Sequence, residues 1–500
     1  MKLKRLLHKI YRDKIPARFE DLEIIAIHCD SRQVENNSLF VALPGHQCDG
    51  SDFIPDAIKK GAAVIVHNRP SYEGQDHNDI CFLKVTDLSL FWKKIIQRFY
   101  GDPSQKVKTI GVTGTNGKTT ITYLLESIIK ESGKNCGVIG TVNYRLGKKV
   151  MIAKNTTPGL LDNQRHLAYL AEEGIEYCAM EVSSHALEQG RVGLIDFAAA
   201  IFSNLTGDHL DYHKDMECYF KAKSLLFTQL SGDAVAVINV DDHYGLRLKR
   251  LMKSKTITYG LKSLSDVTAE DIRLTLSGST FTLKWPQGKT KIVTPLIGLH
   301  NVYNILAAAS ACLSQGFDTN AIKKGIERLY AVPGRLEQLR CGQDFYVFVD
   351  YTHTEDALKN VLTSLRRASD SKIILVFGCG GNRDKTKRPK MGKLAGELAD
   401  WTILTSDNPR QEDPQAIVED IKFGFGHNNY QVILDRKAAI KQSLTLANRG
   451  DIVLIAGKGH ENYQIFKDRT IPFDDREVVK EIFGENLSYG TKARNDGQSL

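Results

Sequence analysis

Residues 107–133, VKTIGVTGTNGKTTITYLLESIIKESG, restrict the folds open to this chain more than any other stretch. A short apolar run with Val107, Ile110 and Val112 reads as a β-strand, and a loop of Gly, Thr and Asn follows it. Beyond the loop, Ile121, Leu124, Leu125, Ile128 and Ile129 recur at i, i+3, i+4, i+7 and i+8, which predicts a helix. Gly133 stands where a C-terminal glycine belongs. A strand, a glycine loop and a helix together make a phosphate cradle. The loop Gly114-Thr115-Asn116-Gly117 and the helix start at Lys118, Thr119 and Thr120 would turn N–H groups toward an anion. Lys118 adds a mobile positive charge, and the Thr119 hydroxyl can ligate Mg²⁺. The strict form of this pattern has Gly at position 112, where this chain has Val, with Gly111 and Gly114 nearby. The stretch predicts that the chain binds a nucleoside triphosphate.

Composition narrows the class. Five hundred residues correspond to about three domains of ~100–200 residues each. A hydrophobic fraction of 42% and a charged fraction of 25% are those of a globular chain, and no apolar run reaches the ~18 residues of a membrane span. The basic amphipathic start, MKLKRLLHKIYRDK, has no apolar core or cleavage site after it and is expected to be the first helix of the mature protein. Nine scattered cysteines without a C-x-x-C pair point to reduced thiols and a cytoplasmic location. The net charge of +8 suits a polyanionic small substrate. No basic, aromatic-interleaved stripe speaks for a nucleic-acid partner.

Three units are expected, at residues 1–105, 106–333 and 334–500. In the first, short apolar runs (24–27, 39–43, 63–66, 81–85) flank a helical stretch at 53–61. Its polar loops Asp30-Ser31-Arg32 and Gly45-His46-Gln47-Cys48-Asp49-Gly50 read as solvated turns or as ligand loops. In the second, runs at 136–139, 177–182, 198–203 and 234–240 alternate with helical segments, which predicts a mostly parallel, doubly wound α/β sheet. Polar sets follow those strands, where open α/β sheets bind ligands: Asn155-Thr156-Thr157, Glu181-Val182-Ser183 and Asn204 through His213. A carboxylate and an imidazole there could hold Mg²⁺ beside a triphosphate. The third unit repeats the alternation, with strands at 346–349, 373–377, 402–404, 431–434 and 451–455. Polar sets again follow, at Asp350, at Gly378–Asp384, at Asp407-Asn408-Pro409-Arg410 and at Gly457–Glu461.

GVTGTNGKTT, NTTPG, EVSSHALEQGR, NLTGDHLDYH, GLHNVYNILAA, VPGRLE, VDYTHTEDALKNVL, FGCGGNRDKTKRPKMG, SDNPR and AGKGHENYQ occur in an order that resembles the Mur ligase family over almost the whole chain. The resemblance implies a UDP-binding domain, a central ATPase and a C-terminal Rossmann-like domain that brings an amino acid. It also implies a monomer working in cytoplasmic peptidoglycan synthesis, with Mg²⁺ as cofactor. Glu181 and His209 resemble the family's Mg²⁺ ligands, and Lys223 its carbamylated lysine. His300, Asn301 and Asn304 lie where the family holds adenine, and Arg335 and Asp350 reach the ATP from the C-terminal domain. Ser31, the loop His46-Gln47-Cys48-Asp49, Asn155, Thr156, Thr157, Ser183, Gln189 and Arg191 resemble contacts to a UDP-muramoyl dipeptide. Thr352 and Glu355 depart from the VDYAHTPDAL pattern expected of such ligases.

Activation of a carboxylate as an acyl phosphate requires charge neutralisation and in-line positioning, which Lys118, Thr119 and the metal would supply, with His209 and Lys223 as further catalytic groups. The branch of the family that adds diaminopimelate carries DNPR. Arg410 can read the extra carboxylate with two parallel hydrogen bonds, where lysine would bring only a repelled ammonium. Arg383, Asp407, Asn408, Pro409, Gly457 and Glu461 resemble the remaining amino-acid contacts. Other readings stay open at this point: a lysine-adding sister ligase, a folylpolyglutamate synthetase-like ligase, a nucleic-acid-dependent ATPase and a non-catalytic binding protein.

Overall fold

The computed structural model describes residues 1–45, 48–69, 79–208 and 210–484. His46, Gln47 and His209 lie outside the described residues. The chain divides into two compact units. One comprises residues 1–108, 158–176 and 189–196, and the other comprises residues 109–157, 177–188 and 197–500. Segments 158–176 and 189–196, assigned above to the central stretch of sequence, therefore belong to the first unit.

The first unit is a sheet of four parallel strands in chain order, Ala26–His28, Ser38–Val41, Ala62–His67 and Cys81–Lys84. Ile27, Leu39, Val41, Val64 and Val66 pack with Phe91, Trp92, Ile95 and Ile96 of the helix Leu88–Tyr100. Asp87 caps that helix by accepting from Leu90 N, and Gly101 closes it in the left-handed region. The basic N-terminus forms a helix only over Leu3–Leu7, shorter than the sequence predicts. Lys9 has a φ of +59° and breaks it, while Leu3, Leu6 and Leu7 are buried in the same core. The helix expected at 53–61 begins at Ile54 behind a 3₁₀ turn, Gly50–Phe53.

The second unit contains two large sheets. In the first, the spatial order is Lys255–Tyr259, Val235–Asn239, Phe197–Phe202, Lys108–Thr113, Tyr177–Glu181, Cys136–Ile139, Asn143–Leu146 and Lys149–Ile152. The last two strands are an antiparallel extension that the sequence reading missed. The chain leaves Lys108–Thr113 toward one edge and later returns to its other side, so the strand order reverses there and opens a crevice at the strand ends. Ile121, Leu124, Leu125, Ile128 and Ile129 of the helix Lys118–Glu131 are all buried, packed with Val302, Ile305 and Ala309 of the helix Leu299–Ser314. A three-stranded antiparallel sheet over 268–294, also missed, joins the same core through Phe281, Leu283 and Ile292.

The second sheet runs Glu337–Leu339, Tyr346–Asp350, Ile452–Ala456, Ile373–Phe377, Trp401–Leu404 and Tyr430–Val432. Its strands alternate as period-two segments covered on both faces should. Phe348, Leu375, Phe377 and Leu454 point to one core, and Val347, Val349, Ile374, Val376, Val453 and Ile455 to the other. The strand predicted at 431–434 lies at Tyr430–Val432. Among the described residues no helix is long and apolar enough to cross a membrane.

Candidate active site

The loop after Lys108–Thr113 is shaped by two glycines. Gly114 and Gly117 have φ of +143° and +90°, and a Cβ on either would fall 1.9 Å from Ser203 Oγ or 2.3 Å from Asn304 Oδ1. The neighbouring strand latches the loop: Thr115 N donates to Asn204 O (2.9 Å), Asn116 N to Asn204 Oδ1 (2.9 Å), and Ser203 Oγ to Asn116 O (2.6 Å). The helix Lys118–Glu131 starts behind Gly117 with no side-chain cap. Its first N–H groups therefore face an adjacent cavity of about 640 Å³, an arrangement that suits a phosphate.

Three groups of residues predicted from the sequence meet in this cavity. From the loop come Thr115, Asn116, Gly117, Lys118, Thr119 and Thr120, and from the helix Leu299–Ser314 come His300, Asn301 and Asn304. Asn301 Nδ2 donates to Ile297 O (2.8 Å), and its Oδ1 accepts from Asn304 Nδ2 (3.0 Å). Burial holds the His300 imidazole below its usual range, with Asp350 opposing. Arg335 comes from the turn that leads into the C-terminal sheet, and Asp350 from the end of its strand Tyr346–Asp350. Arg335 Nη2 donates to Thr119 Oγ1 (3.1 Å) while its guanidinium lies over the Tyr351 ring (4.5 Å). Asp350 accepts from Leu336 N (2.6 Å) and from the Thr352 hydroxyl, so Thr352 occupies the carboxylate of the motif in which it departs. Glu355, the other departure, opens the helix Glu355–Ala368, where a carboxylate is favoured by the helix dipole.

Glu181 ends its strand 1% exposed. Thr141 donates to it twice, from N and from Oγ1, each at 2.9 Å. Thr156 Oγ1 is 3.1 Å from Thr141 Oγ1, and Thr157 Oγ1 donates to Glu181 O (2.8 Å) and accepts from Ser183 N (3.0 Å). Asn155 is exposed, with its carbonyl accepting from Tyr144 OH. Lys223 is not in the cavity wall. It is 1% exposed, and its Nζ donates to Gly114 O (2.8 Å) beneath the loop. Burial, and then the charge of Lys118, press its ammonium well below the usual lysine range. Burial also lowers Lys118, whose Nζ donates to Gly114 O and Thr115 O.

The donors fit Mg²⁺. Among the described residues no three His, Cys, Asp or Glu side chains gather as a metal cage. The Glu181 carboxylate and Thr119 hydroxyl are hard oxygens beside a phosphate cradle, and Mg²⁺ takes few protein ligands when phosphates supply the rest.

The predicted UDP contacts are divided between the units. In the first, Ser31 Oγ donates to Asp56 (3.3 Å), and Asp30 and Asp49 accept from Arg32 N and Ser51 N, capping short 3₁₀ turns. Cys48 is exposed. Gln189 Oε1 accepts from Arg191 Nε and Nη2, at 2.9 and 2.6 Å.

A second cluster lies past the C-terminal sheet. Asn408 Nδ2 and the buried Lys458 Nζ both donate to Glu461 Oε2, at 2.9 and 3.1 Å, and Lys458 also donates to Asn408 Oδ1 (3.2 Å). Asp407 accepts from Asn408 N (2.7 Å). Pro409 and Gly457 are buried beside these groups and Arg383 is exposed. Arg410 Nη1 donates to Gly381 O (2.9 Å). The glycine run at 378–381 thus serves loop packing.

Sequence reasoning missed Thr141 and Asp356, and it had Lys458 only as part of the polar run Gly457–Glu461, with no role of its own. Thr141 follows the strand Cys136–Ile139, so the rule that located Glu181 could have found it. Asp356, which accepts from Asn116 Nδ2 (2.9 Å), joins two sheets distant in sequence and left no local signal.

Family models match this chain in three consecutive pieces: a Mur ligase family catalytic domain over residues 23–100, a Mur ligase middle domain over 112–312, and a Mur ligase glutamate ligase domain over 334–459. The UDP-N-acetylmuramoyl-L-alanyl-D-glutamate–2,6-diaminopimelate ligase of Clostridium tetani is 43% identical over 487 residues, covering 97% of this chain and 100% of that protein. Its namesake from Geobacillus kaustophilus is 45% identical over 471 residues, covering 93% of this chain and 95% of the other. A solved structure of a ligase of that name superimposes with a TM-score of 0.67 at 36% identity, covering 96% of this chain and 99% of the other.

Proposed function

This chain belongs to the Mur ligase family, and from that membership we propose how its residues divide the work of one ligation. The enzyme uses ATP to join meso-diaminopimelate to the D-glutamate of UDP-N-acetylmuramoyl-L-alanyl-D-glutamate, a step of peptidoglycan synthesis. The observation that carries the division of labour is the uncapped helix start at Gly117, into whose cavity Lys118, Arg335 and Glu181 converge.

The γ-carboxylate of D-glutamate attacks the γ-phosphorus of ATP, forming an acyl phosphate and releasing ADP. Both reactants are anions, so the step depends on holding them in line and offsetting their charge. Lys118 and the loop N–H groups hold the phosphates. Arg335 enters from the turn before the C-terminal sheet, and His300, Asn301 and Asn304 hold the base. Thr119, Glu181 and a carbamylated Lys223 would hold Mg²⁺, with His209 outside the described residues; the ion supplies charge neutralisation on the phosphate oxygens. Burial supports the modification, because a neutral amine is the form that attacks CO₂. The new N–C bond costs one proton and leaves an anionic carbamate. Thr156, Thr157, Ser183, Gln189, Arg191 and Ser31 serve the muramoyl substrate.

The amine of diaminopimelate then adds to the acyl carbon, and the tetrahedral intermediate expels phosphate to leave the amide. Arg410 reads the far carboxylate, while Glu461 and Asp407 suit the ammonium. The reading extends to a monomer in the cytoplasm, in keeping with nine free cysteines. Hydroxylamine tests the intermediate. Incubated with ATP and the UDP-dipeptide but no amino acid, the enzyme should yield a hydroxamate; ADP formed in amide synthesis with no trappable acyl group would refute the acyl-phosphate step.

A further inference from the structure

We propose that Glu412 is a positioning residue for diaminopimelate recognition, joining the glycine loop 378–384 to the loop 406–412 so that Arg410 is held in one direction. The inference rests on the assignment of Arg410 as the reader of the far carboxylate.

The two loops leave adjacent parallel strands, Ile373–Phe377 and Trp401–Leu404. They are laced by reciprocal bonds: Gly381 N donates to Asn408 O (2.9 Å), Gln411 N to Asn382 Oδ1 (3.0 Å), and Asn382 N to Glu412 Oε1 (2.5 Å). A Cβ on Gly381 would lie 1.9 Å from Pro409 O, so the lacing requires glycine there. Behind them Arg388, 1% exposed, meets Glu412 with both terminal nitrogens, Nη1 to Oε2 (3.0 Å) and Nη2 to Oε1 (3.1 Å). The same guanidinium donates to Gly380 O (3.3 Å) and Asp420 (2.8 Å). One carboxylate therefore fastens the glycine loop, the helix Lys387–Leu398 and its own loop two residues beyond Arg410.

Such a fastening has a reason. Arg410 and Asn382 have φ of +55° and +51°, in the left-handed region that residues with side chains avoid unless their surroundings impose it. Arg410 N donates to Ile465 O (3.1 Å) and its Nη1 to Gly381 O, which fixes the backbone of the residue and the tip of its side chain and leaves Nε and Nη2 outside those bonds. If the loops part, the Gly381 carbonyl moves and the guanidinium turns with it. The Arg388 pairing and the Asn382 N–H hold the Glu412 carboxyl down to about 2, so the tie is ionised throughout the working range.

Steady-state kinetics of Glu412→Gln in the full-length enzyme test the proposal. KM for meso-diaminopimelate should rise about ten- to hundredfold, as when the support of a ligand-binding side chain is lost. The preference over L-lysine should fall in parallel, with KM for ATP and for the UDP-dipeptide within about twofold of wild type. In an Arg410→Ala background the same change should add little, because Glu412 acts through Arg410. Asn382→Gly, which keeps the left-handed backbone and removes one lace, should raise the same KM by less, and it serves if Glu412→Gln does not fold. A wild-type KM for diaminopimelate in either variant overturns the proposal. So does a joint rise of all three KM values, or full additivity with Arg410→Ala. An Arg410→Ala enzyme with unchanged KM also overturns it, and that outcome alone places the fault in the assignment of Arg410.

Discussion

Lys118 and Lys223 both donate to the carbonyl oxygen of Gly114, at 3.0 and 2.8 Å. Two ammonium groups on one oxygen repel each other; burial lowers both, and Lys223, pressed also by the charge of Lys118, is driven well below the usual lysine range. Carbamylation turns that repulsion into attraction, because Lys118 then faces an anion. Lys223→Ala should accordingly be nearly inactive, and a small added carboxylate should restore part of the rate by refilling the cavity with negative charge. Wild-type enzyme labelled with ¹³CO₂ should show a carbamate resonance that the variant lacks. An unmodified Lys223 in a well-resolved structure of the liganded enzyme would contradict this account.

Lys118→Ala should fold normally and lose about 10²–10³-fold or more in turnover, the scale on which enzymes lose rate with one preorganised charge at the reacting group. Near-wild-type turnover in a folded variant would remove Lys118 from phosphoryl transfer.

Arg410→Ala removes one partner of a charge pair with the substrate. Such truncations cost about 2–5 kcal/mol, or roughly thirtyfold to a few thousandfold in the use of diaminopimelate. Initial-rate measurements should find much smaller changes for ATP and the UDP-dipeptide. An equal loss for all three substrates would mean that the loop, not the guanidinium, had failed.

Acid sensitivity should report the Arg388–Glu412 tie. The Glu412 carboxyl is held down to about 2 from an ordinary value of 4.5, with the Arg388 bond as the main cause. The unfolded chain takes up this proton near 4.5 and the folded one near 2, so the stabilisation is complete above that window and vanishes as pH falls through it. The gap in melting temperature between wild type and Glu412→Gln should hold steady from about pH 7 to 5 and close between 4.5 and 2. A gap that persists to pH 2 would deny the linkage.

Local chemistry was legible in the sequence to the extent that it is local. Periodic apolar residues placed the helix Lys118–Glu131 within a residue or two, and runs such as Ile373–Phe377 and Cys136–Ile139 match the strands end for end. The edge strand Lys149–Ile152 escaped because all four of its residues are exposed, so burial imposes no alternation on it. The 268–294 sheet carries charges on its open face, and its apolar residues read as isolated. For the site, polar residues at strand ends were found after most of the strands that were read, with Thr141 after Cys136–Ile139 the exception. That Arg335 reaches the ATP came from resemblance alone, while its bond to Thr119 across 216 positions, the Asp356–Asn116 bond and the Glu412 tie required the fold.

The choice of amino acid decides whether this enzyme is a diaminopimelate-adding ligase. Purified enzyme supplied with ATP, Mg²⁺ and UDP-N-acetylmuramoyl-L-alanyl-D-glutamate should be assayed for ADP release against a panel containing meso-diaminopimelate, L-lysine, L-glutamate and D-alanyl-D-alanine. Meso-diaminopimelate should give rapid ADP release and a matching amide product, and the others little release. Release with L-lysine equal to that with meso-diaminopimelate would contradict the specificity assigned to Arg410, and release with none of them would contradict the ligation itself.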